Sequence, residues 1–425
     1  MAKIRALRGW RYNGKLASSI GELISPPFDV VTEEQRASLY QNPLNSIHLS
    51  VPSDPHPGRH AADTLQKWRE EGVIFQDHLP CIYVYYQYFR LSGEEQEFCR
   101  KGFICMIEAS FWEEKVVLPH ENTIPGSVSE RVALLDATHL NASPTHGLYT
   151  DAHHELEPWM DAAMQQPVYQ AEDYQGVRDV LAIINEPQQV SEFISLMKDK
   201  KVILADGHHR YESSLVYRRK RIRQNPRHSG DEWYNYHLMY LTNTESENIK
   251  VLPTHRLVGK LPGFSSKVII AQTSRYFTVR PLQDAHHLPE IIAGKPWSFG
   301  LMMDAESYHI QLKPEVYDHF DTTLSKDLKQ LDIVVLHHFF IEKVLGIPAE
   351  AQRYADQISY ERSFASCLLK VSRKEADLAL ITNGVSIARI KEVCYSGHVL
   401  PQKSTYFYPK AICGFVFASI QDDES

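Results

Sequence analysis

The sequence predicts an α/β or α+β protein with mixed sheets and flanking helices. Short runs of β-forming residues alternate with runs of helical apolar spacing along the whole chain. Apolar residues make up 43% of the 425, enough for a real core, and charged residues 23%, which excludes a disordered polyelectrolyte. No run of about 18 apolar residues occurs, so no membrane-spanning helix is expected.

The elements follow in order. Pro26-Pro27 before Phe28-Asp29 forces an extended or turning backbone, because proline fixes its own φ and restricts the residue before it. Asp29 either caps that turn or closes a site. Thr32 followed by Glu33 and Glu34 marks a helix start. Residues 60–71 carry Leu65 and Trp68 three apart on one helical face. Cys81 to Phe89, with Tyr83, Tyr85, Tyr86 and Tyr88, reads as a strand, and Gly102 to Ile107 as its neighbour. Helices are expected over 127–139 and over 189–199, where Val190, Phe193, Ile194 and Met197 share a face. Lys201 to Ala205 is a short strand that runs into Asp206-Gly207, and a helix follows from His209 to about Arg221. Tyr236 to Leu241 is another strand. Further on, Trp297 to Met303 and Tyr308 to Leu312 read as a hairpin, Leu328 to Leu345 as a long apolar helix, and Leu378 to Thr382 as a strand.

A chain of this length exceeds one ordinary core. The polar stretch Asn243 to Asn248 is the candidate boundary, giving α/β regions over 1–245 and 246–425, or one continuous architecture. The net charge of -8 and a pI near 6.2 argue against non-specific nucleic-acid binding, although Arg218-Arg219-Lys220-Arg221 is a local basic run. The six cysteines show no CxxC spacing and read as reduced, mostly buried thiols. With no apolar signal stretch after Met1, a cytoplasmic protein is expected.

Asp206-Gly207-His208-His209-Arg210 is the leading candidate site. Gly207 opens backbone angles closed to other residues and lets a ligand approach the main chain. Free N–H groups at a helix start favour an anion. Arg210 offers a planar fork suited to phosphate or carboxylate. His208 and His209 exchange protons near neutral pH. Asp206 is a candidate base or Mg²⁺ ligand. The plainer reading makes Asp206 a cap and the histidines surface residues. Five consecutive residues capable of chemistry, directly after a buried strand, favour the site.

Two further clusters stand beside it. His120 and Glu121 in LPHENT supply a candidate proton carrier and a base or metal ligand. They are equally well read as a solvated loop. Downstream, Arg131 either meets a phosphate or pairs with Glu130 or Asp136. PQKSTYFYPK combines two lysines with the hydroxyls of Ser404 and Thr405 among aromatics, Lys403 being the better phosphate candidate, without the glycines of a Walker motif. Asn42 and Asn45 in NPLNSIHL are most simply turn residues. His337-His338, inside an apolar helix, reads as core histidines.

These segments resemble one bacterial and archaeal family. PPFDVV (26–31), NPLNSIHL (42–49), LPHENT (118–123), ADGHHRYE (205–212) and PQKSTYFYPK (401–410) occur in the order of the domain-of-unknown-function family ten-fifteen. The resemblance implies one architecture from end to end. More distantly, Gly207-x-His209-Arg210 after an apolar strand resembles the phosphate-contacting turn of the ParB/sulfiredoxin-like group. That group includes sulfiredoxins, the ParB nucleotide-binding domain and free serine kinases, which phosphorylate serine with ADP. Two departures stand out: His208 occupies the place of the sulfiredoxin cysteine, and the turn's position near residue 207 implies large insertions.

The expected function is a phosphotransferase or phosphohydrolase on a small hydroxylated metabolite, with serine and phosphoserine the leading pair. Gly207, His209, Arg210, Arg131, Lys403, Ser404 and Thr405 would hold phosphate. Asp206 or Glu121 would act as base, and His208 or His120 would carry a proton. ADP or ATP would be the co-substrate, with Mg²⁺ on Asp206. The alternatives are a non-catalytic sensor of a nucleotide or phosphometabolite, and a metal-dependent hydrolase.

Overall fold

The computed structural model describes residues 1–422 except 29, 122–124, 174, 319, 321–322 and 353, and the side chains of 125–127. The chain forms two compact units. The first comprises residues 1–119, 123–250 and 409–425; the second comprises 120–122 and 251–408. The PQKSTYFYPK segment is therefore divided: Tyr408 belongs to the second unit and Pro409 to the first. Both units mix sheet and helix, the class the alternating pattern predicts.

The first unit is built on a nine-stranded mixed sheet. In chain order its strands are β1 (Ile4–Arg5), β2 (Ile82–Arg90), β3 (Glu97–Glu108), β4 (Val117–Pro119), β5 (Thr145–Tyr149), β6 (Tyr169–Glu172), β7 (Arg178–Ile184), β8 (Val202–Asp206) and β9 (Tyr236–Asn243). They lie in the order β4-β8-β5-β9-β3-β2-β7-β6, with β1 on β3. β8 runs parallel to β4 and antiparallel to β5, and β9 runs parallel to β5.

Both faces of this sheet are covered. Along β2, Tyr83 and Tyr85 enter one core while Ile82, Val84 and Tyr86 enter the other. Successive strand side chains point to opposite faces, so a strand buried on both sides reads as an unbroken apolar run. The longest helices of the unit are α1 (Pro57–Glu70), α2 (Pro125–Thr138), α3 (Pro187–Met197) and α4 (His208–Gln224). Leu65 and Trp68 of α1 and Phe193 and Met197 of α3 are buried at the expected spacing.

β1, β4, β5, β6 and β7 have no counterpart among the predicted elements. In β5 the signal is broken by Gly147, which the packing requires: a Cβ there would lie 2.5 Å from Met239 Sδ and 2.7 Å from Val202 Cγ1.

The second unit holds a six-stranded antiparallel sheet of β10 (His255–Val258), β11 (Phe277–Leu282), β12 (Ser298–Met303), β13 (Glu306–Leu312), β14 (Ile358–Glu361) and β15 (Leu378–Ile381). The order is β11-β13-β12-β15-β10-β14. β12 and β13 form the predicted hairpin, with Leu301 opposite Tyr308. After β15 the chain turns through 382–386 into α5 (Ile387–Tyr395). The long helix expected over Leu328–Leu345 is instead three pieces: Lys326–Lys329, Asp332–Val335 and a π-helical stretch Leu336–Val344. The break comes at Leu331, whose extended ψ of 125° makes it an N-cap, with Asp332 supplying an acid to the new first turn.

All six cysteines are free thiols, five of them buried. Among the described residues no helix is long and apolar enough to cross a membrane.

Candidate functional site

In the first unit the strand–turn–helix of 202–210 places its polar residues at the end of β8. All five residues of β8 are buried. Gly207 follows with φ +85°, and a Cβ there would lie 2.7 Å from Thr145 Cγ2 and 2.9 Å from Arg210 Nη2. The position thus needs glycine for its backbone angle and for its space. α4 starts at His208, and Tyr211 and Leu215 bury its apolar face at 0% exposure. His208 is buried and His209 half-buried in its first turn.

Asp206 is the hub. Arg210 Nη2 donates to its Oδ2 at 3.1 Å, and Lys410 Nζ donates to its Oδ1. Burial alone would raise the Asp206 carboxyl, but Lys410 and then Arg210 outweigh it and hold it well below the usual carboxylate range. Arg210 spends the rest of its fork inward: Nη1 donates to Ser143 Oγ at 3.0 Å and to the Pro144 carbonyl at 2.6 Å. Its Nε is buried without a hydrogen-bond partner among the described residues. Arg210 therefore offers its charge more than its fork.

Arg131, from α2, reaches the same place. Its Nη1 donates to the Ser50 carbonyl at 2.5 Å, and its guanidinium lies 4.8 Å from the Phe28 ring centre. No carboxylate pairs with it among the described residues. Burial lowers its pKa; the nearby Glu130 charge opposes this, and the charges of Arg210 and Arg36 add to it. Arg131 and Arg210 line one small cavity of about 40 Å³ with Ser50, Asn141, Ser143 and His237, and no acid lines it. His237 bridges Thr145 and Ser214 at 3.0 and 2.7 Å, and burial pushes its pKa down to about 3, so it is neutral. A water needs roughly 10–15 Å³ of such space, so the cavity suits a phosphate- or carboxylate-sized group.

Glu121, His120, Lys403, Ser404 and Thr405 belong to the second unit. There Glu121 is clasped by three consecutive backbone N–H groups. Lys403 N–H donates to Oε2 at 3.1 Å; Ser404 and Thr405 N–H donate to Oε1 at 3.0 and 3.2 Å. Such a run of N–H groups is an anion nest, with Lys403 at φ +58°. The Thr405 hydroxyl also lies 3.2 Å from Glu121 Oε1, and His120 Nε2 lies 2.7 Å from Thr405 Oγ1. His120 and Glu121, adjacent in sequence, thus converge on one threonine. Ser404 is buried, while the Lys403 side chain is exposed and its carbonyl accepts from Arg256 Nη2 at 3.2 Å.

Asn42 and Asn45 serve the backbone: both amides donate to the Glu22 carbonyl, and Asn45 also donates to Ile24. Asp29, Asn122 and Thr123 lie outside the described residues. Lys410 was read only as the second lysine of its motif, not as a partner of Asp206, and Arg256 was not among the predicted site residues. Lys410 ends a motif dominated by Lys403, and Arg256 sits mid-strand where a cation is not expected. No group of three or more potential metal-ligating side chains occurs among the described residues.

A family model described as "Protein of unknown function (DUF1015)" matches residues 4–334. No curated protein matches the chain. Among solved structures, a conserved hypothetical protein from Pyrococcus furiosus aligns at 13% identity and TM-score 0.34, covering 72% of this chain and 93% of that one. A free serine kinase in complex with AMP aligns at 12% identity and TM-score 0.37, covering 76% and 92%. SbnI with C-terminal truncation, from Staphylococcus aureus, aligns at 12% identity and TM-score 0.37, covering 76% and 90%.

Proposed function

The chain belongs to the DUF1015 family, and we propose that its first unit binds the phosphate of a small phosphorylated metabolite or nucleotide and moves that phosphoryl group to or from a hydroxyl. Serine and phosphoserine are the leading pair, and ADP or ATP the leading co-substrate. One observation carries the reading: the half-buried Arg131 and the buried Arg210 face a cavity that, among the described residues, no acid lines. Burying like charges together is costly, and an anion between them offsets that cost.

The roles divide by geometry. Arg131 is the direct phosphate ligand, because it has no carboxylate of its own. Arg210, Gly207 and His209 shape the anion end through the start of α4. Asp206 holds Arg210 and Lys410 in place. His208 takes or returns the hydroxyl proton as the phosphoryl group transfers, since histidine does both near neutral pH. Phosphoryl transfer needs mainly positioning and charge stabilisation, which suits a cationic cavity.

Mg²⁺ on Asp206 does not fit this arrangement. Both carboxylate oxygens already accept from cations, so no metal-dependent step is assigned to it. Glu121, with three backbone donors on its carboxylate, is assigned an anchoring role for 403–405. The sensor reading keeps one specific support: Asp206 and Glu121, the two carboxylates of the strongest motifs, are both saturated with donors.

The test is Arg131→Ala, assayed by calorimetry with ADP, ATP and phosphoserine and by phosphorus NMR for turnover. Losing a charged hydrogen bond costs about 1.5–3 kcal/mol, so affinity should fall about 10- to 100-fold with the fold intact. Unchanged affinity for every phosphorylated ligand that binds the wild type removes the site. Tight binding without any phosphoryl transfer in the wild type leaves the sensor.

A further inference from the structure

We propose that the second unit carries its own small-molecule site, for an α-amino acid, in the cavity beside the turn from β15 into α5. That cavity is about 420 Å³ and is lined by Arg256, Lys295, Asp332, Thr382, Ser386 and Arg389, among others. Ligand sites of small metabolites are commonly a few hundred Å³, so the space suits a whole small molecule. Every lining residue lies in the second unit, so the inference is independent of the phosphate site.

The chemistry of the walls is two-signed. Arg256 is 0% exposed, and its three donors go to neutral acceptors: the Thr254 carbonyl, the Lys403 carbonyl at 3.2 Å and His337 Nε2 at 3.2 Å. His337 gives its other nitrogen to Gln352 Oε1 at 2.7 Å, so it accepts from Arg256 and is neutral. No carboxylate lies within ion-pairing distance of Arg256 among the described residues. Burial pushes its pKa down to about 10, with Tyr360 and Glu121 opposing at longer range. A buried guanidinium paired only to neutral groups favours an anion nearby.

The same wall carries the start of α5, capped by Ser386, whose Oγ accepts from Arg389 N–H at 3.3 Å. Lys295 and Arg389 are exposed at the rim. A carboxylate placed here meets the field of Arg256, the helix start and the two rim cations, of which Arg389 also pairs with Glu392 at 2.6 Å. Asp332 supplies the opposite sign. Its Oδ1 accepts from Trp297 N–H at 2.7 Å, and among the described residues it carries the only carboxylate lining this cavity. A ligand with an anion and a cationic donor on one small frame satisfies both walls, and an α-amino acid is the smallest that does.

The experiment uses the full chain and ligand-observed saturation-transfer NMR with calorimetry. The probes are the standard amino acids and the same carboxylates lacking the amino group. At least one amino acid should bind and its amine-free counterpart should not. Asp332→Asn, which keeps an acceptor for Trp297, should weaken binding by about tenfold or more, the scale of one charged contact. The paired rim change Lys295→Ala with Arg389→Ala, at exposed positions, should weaken it similarly and decides the matter if Asp332→Asn does not fold. Arg131→Ala, in the other unit, should leave it unchanged. No binding by any amino acid overturns the proposal. So does binding that survives the Asp332 and rim variants, or that Arg131→Ala abolishes.

Discussion

Replacing Lys410 by Met removes one of the two cations on a buried carboxylate, and the structure sets the size of the effect. Asp206 is 9% exposed, and the Lys410 side chain is 12% exposed. Taking one partner from a buried ion pair costs about 3–5 kcal/mol, because the remaining charge stays desolvated. Arg210 still holds Oδ2 at 3.1 Å, so the lower end applies, about 3 kcal/mol. Met keeps the length and apolar stem of lysine, so little cavity forms. A domain of this size loses about 2–4 °C in Tm per kcal/mol. The first unit should therefore melt about 6–12 °C lower, measurable by calorimetry. The effect also has a pH signature. The folded Asp206 carboxyl lies below its unfolded value, the two cations overcoming burial. A depressed carboxyl contributes stability above its unfolded pKa, about 3.9, and that stability is lost as pH falls through the folded pKa. The gap between wild type and Lys410→Met should be full at neutral pH and shrink below about pH 4. A neutral-pH difference under about 1 kcal/mol, the size of an ordinary surface change, or a gap that persists undiminished in acid, refutes the pairing.

Two further predictions concern Glu121 and the buried histidines of both units. Glu121→Gln replaces an acceptor oxygen by an NH₂ group, so at least one N–H of 403–405 loses its partner; urea unfolding should show a loss of about 1–3 kcal/mol, and wild-type stability would remove the anchoring role. Burial depresses His255 to about 4 and His337 to about 3 in the second unit, and His237 to about 3 in the first. Below the unfolded value of about 6.5 only the unfolded chain takes these protons, so each histidine costs about 1.4 kcal/mol per pH unit down to its folded pKa. Histidine-to-Gln variants should flatten the stability profile between about pH 6 and pH 4, and an already flat wild-type profile in that window contradicts their buried neutral state.

What the sequence made legible follows from periodicity. β2 and β8 were read because tyrosines and aliphatics run unbroken through strands buried on both faces. The hairpin of β12 and β13 was read because each strand is bounded by residues that stop it. β5 was not, because Gly147 sits where β-propensity expects a side chain, and its reason is the nearness of Met239 and Val202. The helix expected over 328–345 failed differently. Apolar content there is continuous, but periodicity carries no information on where a backbone breaks, and Leu331 breaks it.

The site was legible in its parts and not in its pairings. Gly207, Asp206 and Arg210 announced themselves as a polar turn after a buried strand. That turn also predicted an arginine fork open to ligand, whereas Arg210 bonds Asp206, Ser143 and Pro144. The second cation on Asp206, Lys410, is 204 residues away from it in sequence, and no local pattern encodes such a distance. The same logic applies to Glu121, whose donors come from 403–405. A motif residue is therefore as able to hold another motif in shape as to touch a ligand. The distinction lies in charge balance. Asp206 and Glu121 have their donors already, whereas the half-buried Arg131 and the buried Arg256 carry positive charge with no paired carboxylate among the described residues. Unbalanced buried charge is the costly state, so these two arginines, one in each unit, are where a ligand has the most to stabilise.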